Sequence, residues 1–318
     1  MSPPPEKRRE ELFVPAEAAG VRLDIYLTET LSGVSRKQIK KSLDAGKLFI
    51  DGRCERRAGT LLQGGEALLV TLEGKAPQKQ LAPLTILYRD DDLLALAKPP
   101  GLPVHPTTAG RANVLDLLRQ QLQQAGESVE PVLLHRLDVD TSGLLLFALS
   151  PRGNSLLSEQ FARHTLQKEY WAMVQGRPPD HFKVENHLRP GRRGRTVAVE
   201  NVGQPAQTRF QTLAWTPGSK EVVPLALVAA FPRTGRTHQI RVHLAGLGHP
   251  LLGDRLYGGR EQLPGYEIQP RRYLLHAYRL ILTHPNGNRL TLEAPLPEDF
   301  EAFGALMSER CTDELLSL

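Results

Sequence analysis

Apolar residues in this chain come in short runs between polar turns, and their spacing alternates between the helical and the strand period. From residue 21 to 31, Leu23, Tyr26, Leu27 and Leu31 share one helical face. A second helix is expected to start at Ser35, a good N-cap, and to stop at Gly46, which suits the C′ position. Within it Ile39 and Leu43 form an i, i+4 apolar pair, and Lys37, Lys40 and Lys41 fall on the opposite face. Leu48-Phe49-Ile50, the Asp51-Gly52 turn and the stretch Ala67 to Leu72 read as strand, turn and strand. Thr85 to Lys98 has strand character on both sides of an acidic turn, Asp90-Asp91-Asp92. Leu115, Leu118 and Leu122 stripe a helix over 114–123, and 154–163 is also helical in pattern. Lys168 to Val174 reads as a half-buried strand in which a lone Tyr170 is ordinary core packing.

Two stretches concentrate polar chemistry between apolar flanks. In Leu133–Ser150, LLHRLDVDTSGLLLFALS, two apolar runs enclose His135, Arg136, Asp138, Asp140, Thr141 and Ser142. Such flanks predict buried strands holding a polar loop, which is where chemistry tends to sit. The same residues also simply build turns, so the segment alone leaves both readings open. The second stretch, PRTGRTHQIRVHLAGLGHPLLGDRL (232–256), carries Arg236, His238, Arg241 and His243. It is not a P-loop, because Ala230 stands at the first glycine position and Arg236 at the lysine. His238, His243 and His249 lack an HExxH frame or a carboxylate at ligand spacing, so no metal is expected.

Composition narrows the class. The chain has 318 residues, 40% apolar and 24% charged, ordinary values for a globular protein of about two domains. Its two cysteines, Cys54 and Cys311, form no CxxC pair, which argues against a disulfide framework and a cysteine-rich zinc site and fits a reducing compartment. The first residues, MSPPPEKRREE, lack the apolar core of a secretion signal, and the longest apolar stretch, 222–231, is broken by Pro224. A cytoplasmic protein without membrane spans is expected. Residues 1–12 are proline-rich and then charged, and are expected to be disordered; 74–83 reads as a polar linker between domains at 13–73 and 84–318. The net charge is +5, and Gly33 to Arg57 alone holds eight Lys/Arg against three Asp/Glu. A solvated helix face accounts for such a run, and so does a polyanionic partner. The loop Pro190 to Arg195 is a second basic cluster.

Longer motifs carry two family resemblances. RLDIYL (22–27), SRKQIKKSLDAGKLFIDG (35–52) and GGEALLV (64–70) resemble the S-four-type RNA-binding domain, with Asp51 where that family often has Asn. The resemblance implies a small α/β domain whose Arg36, Lys37, Lys40 and Lys41 meet RNA phosphates, contacts that carry no sequence information. HRLDVDTSG (135–143) resembles the signature of the RluA-type pseudouridine synthases. Supporting matches follow the order of that family: ILYRDDDLLALAKPPGLPVHP (86–106), KEYWAMVQG (168–176), PAQTRF (205–210), RTGRTHQIRVHLAGLGHPLLGDRLYG (233–258) and LLHAYRL (274–280). The D-x-D-x-T pattern of haloacid-dehalogenase phosphatases fits less well. Ser142 stands where its Thr should be, and His135-Arg136 interrupts the strand before Asp138.

The second resemblance implies an α+β fold: a mixed, largely antiparallel sheet crossed by a central cleft. It implies isomerisation of uridine to pseudouridine in RNA, with large-subunit ribosomal RNA as the expected substrate and partner, no cofactor and no metal. Asp138 matches the family's catalytic aspartate, acting as nucleophile or base. Arg236 is the expected guanidinium partner of Asp138, since Arg pairs bidentately with carboxylates, and Arg241 is the fallback. By the same resemblance Tyr170 stacks on uracil and Arg136 enters the space left by the flipped base, while Asp140 has no role. A monomer is expected, because no coiled-coil or long apolar surface pattern is present. The alternative from another class is a non-catalytic RNA-binding or ribosome-assembly factor of the same fold.

Overall fold

The computed structural model describes residues 7–31, 34–73, 82–106, 112–219 and 222–308. The chain divides into two compact units, Met1–Ala82 and Pro83–Leu318. Most of the expected linker, 74–81, lies outside the described residues, as do residues 1–6 of the expected tail.

The first unit comprises β1 (Lys7–Phe13), α1 (Leu23–Thr30), α2 (Arg36–Asp44), β2 (Leu48–Ile50), β3 (Arg53–Cys54) and β4 (Ala67–Glu73). Its strands form an antiparallel sheet in the order β1-β4-β2-β3. The helix α2 starts in a full capping box. Ser35 Oγ accepts the Gln38 N–H, and the Gln38 side chain accepts the Ser35 N–H. It ends at Gly46, whose φ of 65° is costly for any residue with a Cβ. Leu23, Leu27, Ile39, Leu43, Leu48 and Val70 make the core, so Arg36, Lys37, Lys40 and Lys41 are left in solvent. Residues 7–12, expected to be disordered, are instead most of β1, paired residue by residue with β4 from Lys7↔Glu73 to Phe13↔Ala67. Backbone ladders are indifferent to side-chain charge, and a charged edge strand guards against pairing with other chains. That is why charge density misled there.

The second unit is α+β, with a mixed, mostly antiparallel sheet. Its elements are β5 (Thr85–Arg89), β6 (Leu93–Lys98), α3 (Val114–Gln124), β7 (Val132–Leu133), β8 (Ser142–Ala148), α4 (Pro151–Arg163), β9 (Gln167–Gln175), β10 (His181–Pro190), β11 (Thr196–Val199), β12 (Gln204–Trp215), β13 (Leu225–Pro232), α5 (Gln239–Gly246), β14 (Leu275–Thr283), β15 (Arg289–Glu293) and α6 (Glu298–Ser308). The strand order is β11-β10-β12-β13-β9-β14-β8-β6-β5, with β15 added on β14 and β7 on β8. Every pairing is antiparallel except β14 with β8. The unbroken apolar run after HRLDVDTSG supplies Leu144 to Ala148 of β8, a strand buried at every position because both faces of a central strand are covered.

One row of paired residues crosses five strands: Lys98 on β6, Gly143 on β8, Ala277 on β14, Tyr170 on β9 and Ala230 on β13. The loop carrying Asp138 leads into this row at Ser142-Gly143, and the loop carrying Arg236 leaves it just beyond Ala230. Segments about a hundred residues apart in sequence therefore end side by side. Among the described residues no helix is long and apolar enough to cross a membrane.

Candidate active site

The site is built around the turn Asp138–Thr141, where the Thr141 N–H donates to the Asp138 carbonyl at 3.1 Å. The next two carbonyls are also held. That of Val139 accepts the Gly101 N–H at 2.9 Å and the Lys98 ammonium at 2.8 Å. That of Asp140 accepts Arg272 Nη1 at 2.7 Å, while Arg272 is itself gripped by Asp299 at 2.6 and 2.8 Å. Behind the turn, Gly143 has a φ of +109°, and a Cβ there would lie 2.2 Å from the Ala277 carbonyl oxygen. Only glycine lets β8 and β14 approach this closely. Lys98 is 1% exposed, and burial drives its pKa down to about 7, with Asp140 and Asp138 pulling the other way. A buried ammonium is thus spent on fixing the backbone beneath Asp138.

The Asp138 carboxylate faces two cations or potential cations, with Arg241 Nη1 3.4 Å and His238 Nε2 3.8 Å from Oδ2. Arg241 comes from the inner side of α5. Its Nε and Nη2 donate to the two oxygens of buried Asp254 at 2.7 and 2.9 Å, and its guanidinium lies 4.0 Å over the Tyr273 ring. Burial opposes the charge on Arg241, but the hydrogen bonds and charge of Asp254 outweigh it, so its pKa stands above the usual arginine value. Burial holds His238 below the ordinary imidazole value against the pull of Asp138. Its Nδ1 lies 2.8 Å from the Tyr257 hydroxyl. Burial first, and then the charge of Asp138, push the Tyr170 and Tyr273 phenols up, so both remain protonated at neutral pH.

A cavity of about 100 Å³ is bounded by Asp138, Tyr170, His238 and Arg241 and by Arg136, Lys168 and Arg236. The structure thus brings Asp138, Tyr170, Arg136 and Arg236 together, as the sequence motifs suggested they would be. One expected partnership is corrected. Arg236 does not pair with Asp138; its Nε donates to the Pro205 carbonyl at 3.2 Å, and its N–H caps the Gln239 side chain at 3.0 Å. The partner of Asp138 is Arg241. The reason is helical register: Arg236 precedes α5 on a half-exposed loop, whereas Arg241 sits one turn inside on the buried face. Arg36, Lys37, Lys40 and Lys41 belong to α2 of the first unit.

Sequence reasoning missed Lys98, Tyr273 and Asp254. For Asp254 a signal existed, since a buried guanidinium needs a carboxylate and Asp254 is the sole acidic residue of PRTGRTHQIRVHLAGLGHPLLGDRL. The described residues hold no cluster of three or more His, Cys, Asp or Glu suited to a metal ion.

Residues 92–246 match the family model described as RNA pseudouridylate synthase. The chain is 34% identical over 306 residues to ribosomal large subunit pseudouridine synthase D of Nitrosomonas europaea, covering 92% of this chain and 86% of the relative. It is 34% identical over 326 residues to ribosomal large subunit pseudouridine synthase C of Pasteurella multocida, with 95% of both covered. Among solved structures it resembles human RNA pseudouridylate synthase domain containing 4, with a TM-score of 0.54 and 30% identity over 68% of this chain and 90% of that one. Human RNA pseudouridylate synthase domain containing 1 gives a TM-score of 0.52 at 26% identity, covering 72% and 97%.

Proposed function

The chain belongs to the RNA pseudouridylate synthase family, isomerases acting on RNA, and on that premise we propose that it converts particular uridines of large-subunit ribosomal RNA to pseudouridine. The observation that carries the chemistry is the Asp138 carboxylate, held on a turn whose three successive carbonyls are bonded and aimed at an Arg241 that Asp254 has already fixed. Preorganisation of this kind suits a carboxylate that must meet the sugar or base in one geometry.

In this reading a uridine is flipped out of its stack, at a cost of a few kcal/mol, into the cleft at the head of β8 and β9. Asp138 acts as nucleophile or base during cleavage of the glycosidic bond. Arg241, with two N–H groups committed to Asp254, directs Nη1 at Asp138 and orients it. Tyr170, protonated and half-buried, stacks on the uracil and serves proton transfer at carbon 5. Arg136 is exposed at the cavity and has no hydrogen-bond or ion-pair partner among the described residues, which suits a side chain that fills the gap left by the base. Arg236 contacts RNA at the rim. No residue is assigned to a cofactor or metal. The first unit acts as an S-four-type RNA-binding domain through Arg36, Lys37, Lys40 and Lys41. The protein works as a monomer in the cytoplasm, where its RNA is.

The test is purified protein on unmodified large-subunit ribosomal RNA, with pseudouridines mapped before and after. Wild type is expected to form product at discrete uridines and Asp138→Asn none. An Asp138→Asn variant that modifies RNA at the wild-type rate overturns the catalytic assignment. Wild type that binds RNA but forms no pseudouridine turns the reading into an assembly factor.

A further inference from the structure

Next to the uridine pocket lies a second, larger cavity of about 420 Å³ that this chemistry leaves unused. It lies where β10 and β12 pair, Glu185 opposite Gln207 and His187 opposite Pro205. Arg233 and Thr234, just after β13, and His164, at the end of α4, close it. Thr234 lines both cavities, so they are neighbours on one surface. Its volume falls in the range of about 300–1,000 Å³ usual for ligand sites.

The lining mixes apolar surface with polar side chains, some of them uncommitted. The side chains of His164, His187 and Arg233 have no hydrogen-bond or ion-pair partner among the described residues. Asn186 is oriented from inside the fold. Thr234 Oγ1 donates to Gln239 Oε1 at 2.8 Å, and Gln239 Nε2 donates to Thr208 Oγ1 at 2.9 Å. That leaves the Thr208 proton for His243 Nδ1 at 3.0 Å, and His243 Nε2 then donates to Asn186 Oδ1 at 3.0 Å. Burial takes His243 down to about 4, so it is neutral and the chain of donors has one direction. The result is an Asn186 whose Nδ2 donors are left over in the lining of the cavity. Donors on Asn186, His187 and Arg233 with an acceptor on Glu200 are the kind of set that reads an unstacked base along its edge.

Three cations lie along the two cavities, Lys168 and Arg236 on the first and Arg233 on the second. The Lys168 ammonium, on the first cavity, has no partner among the described residues, and a Cβ built on Gly235 would lie 3.9 Å from its Nζ. Arg236 and Arg233 flank it, and none of the three is paired with a carboxylate. The three charges act together on His164, whose pKa is lowered by burial and then by Lys168, Arg236 and Arg233. Three cations with no carboxylate paired to any of them suit an anion, and here they border two cavities of unequal size.

Building on the reading above, we propose that the cavity between β10 and β12 is a second nucleotide site: it receives a nucleotide adjacent to the target uridine, whose linking phosphate rests on Lys168, Arg233 and Arg236. The substrate is bound as an opened dinucleotide step. The uridine goes to Asp138, and its neighbour is read by Asn186 and His187.

The experiment uses the full-length protein and a ribosomal RNA fragment spanning a uridine that the wild type modifies. The variants are His187→Ala and Arg233→Gln, whose side chains make no contact that the fold uses. RNAs carrying an abasic residue immediately 5′ or immediately 3′ of the target complete the set. His187→Ala and one of the two abasic RNAs should each raise KM about tenfold with kcat unchanged. Combined, they should raise it no further than either alone, because the same contact is lost. Arg233→Gln should lower the slope of log affinity against log salt by about 0.7, one phosphate on a single strand. Losses that add for both neighbours, or variants with wild-type KM and salt slope, overturn the second site. A wild type that forms no pseudouridine overturns the functional reading and this site with it, and it is recognised before any variant is compared.

Discussion

The two units of this protein use the same cations in opposite ways. On α2 of the first unit, Arg36, Lys37 and Lys40 stand in solvent around a small apolar core. In the second unit, Lys98 and Arg241 are 1% and 5% exposed, and each is committed to named oxygens. A solvated cation keeps its water and its freedom, so it can track a phosphate chain without a fixed geometry. A buried one has lost its water and is tolerable only with its partner in place. The first kind gives adhesion that many residues share. The second gives a geometry that no neighbour can replace.

The sharpest way to break this contrast is at Asp138 itself. Asp138→Asn should lower pseudouridine formation by about 10⁴-fold or more while leaving the thermal unfolding midpoint near wild type, because the proposed mechanism has this side chain react rather than support the fold. A single-turnover assay beside a melting curve checks both halves. Asp254→Asn should combine the two effects. It strands the Arg241 charge and should cost about 3–5 kcal/mol of stability along with at least a hundredfold in rate. A denaturant titration that finds less than 1 kcal/mol would mean that Arg241 is not held as described.

A third test uses pH. All ten histidines lie in the second unit, and burial holds His243 and His276, each 1% exposed, at about 4. Unfolded, they take up protons from about 6.5 downward, while folded they do so only near 4. Their contribution to stability is therefore complete above 6.5 and is lost as pH falls through that window. Between pH 7 and 5 the second unit should lose about 2–4 kcal/mol, and the histidine-free first unit should lose none by this route. Hydrogen exchange on the full chain at the two pH values reads the units separately, and equal loss in both would refute the assignment. The smallest effect belongs to α2. Lys37→Gln or Lys40→Gln should weaken RNA binding less than tenfold, flatten its salt dependence by about one phosphate, and leave both rate at saturating RNA and stability unchanged.

What could be read from the sequence follows the same division. The caps of α2, Ser35 and Gly46, act over a few residues, and the structure has them as the spacing suggested. The strand β8 was visible because its burial on both faces leaves an unbroken apolar run. By contrast β1, written in Lys, Arg and Glu, was mistaken for disorder, because its order comes from pairing with β4 some sixty residues later. The same limit applied at the site. Asp138, Tyr170, Arg136 and Arg236 stood out as motif residues, but which arginine meets Asp138 depended on the turn of α5 and on Asp254.

By itself, then, the sequence determined what is local: cap chemistry, the apolar core strand, the excess of solvated cations around α2, and the polar segment HRLDVDTSG that carries Asp138. Only the tertiary structure decided what is relational. The row Lys98–Gly143–Ala277–Tyr170–Ala230 brings distant loops together, and the close approach at Gly143 fixes how near they come. The physical reason is that propensity and capping act over one turn of chain, whereas a buried charge is assigned its partner by packing, which joins residues without regard to their separation in sequence.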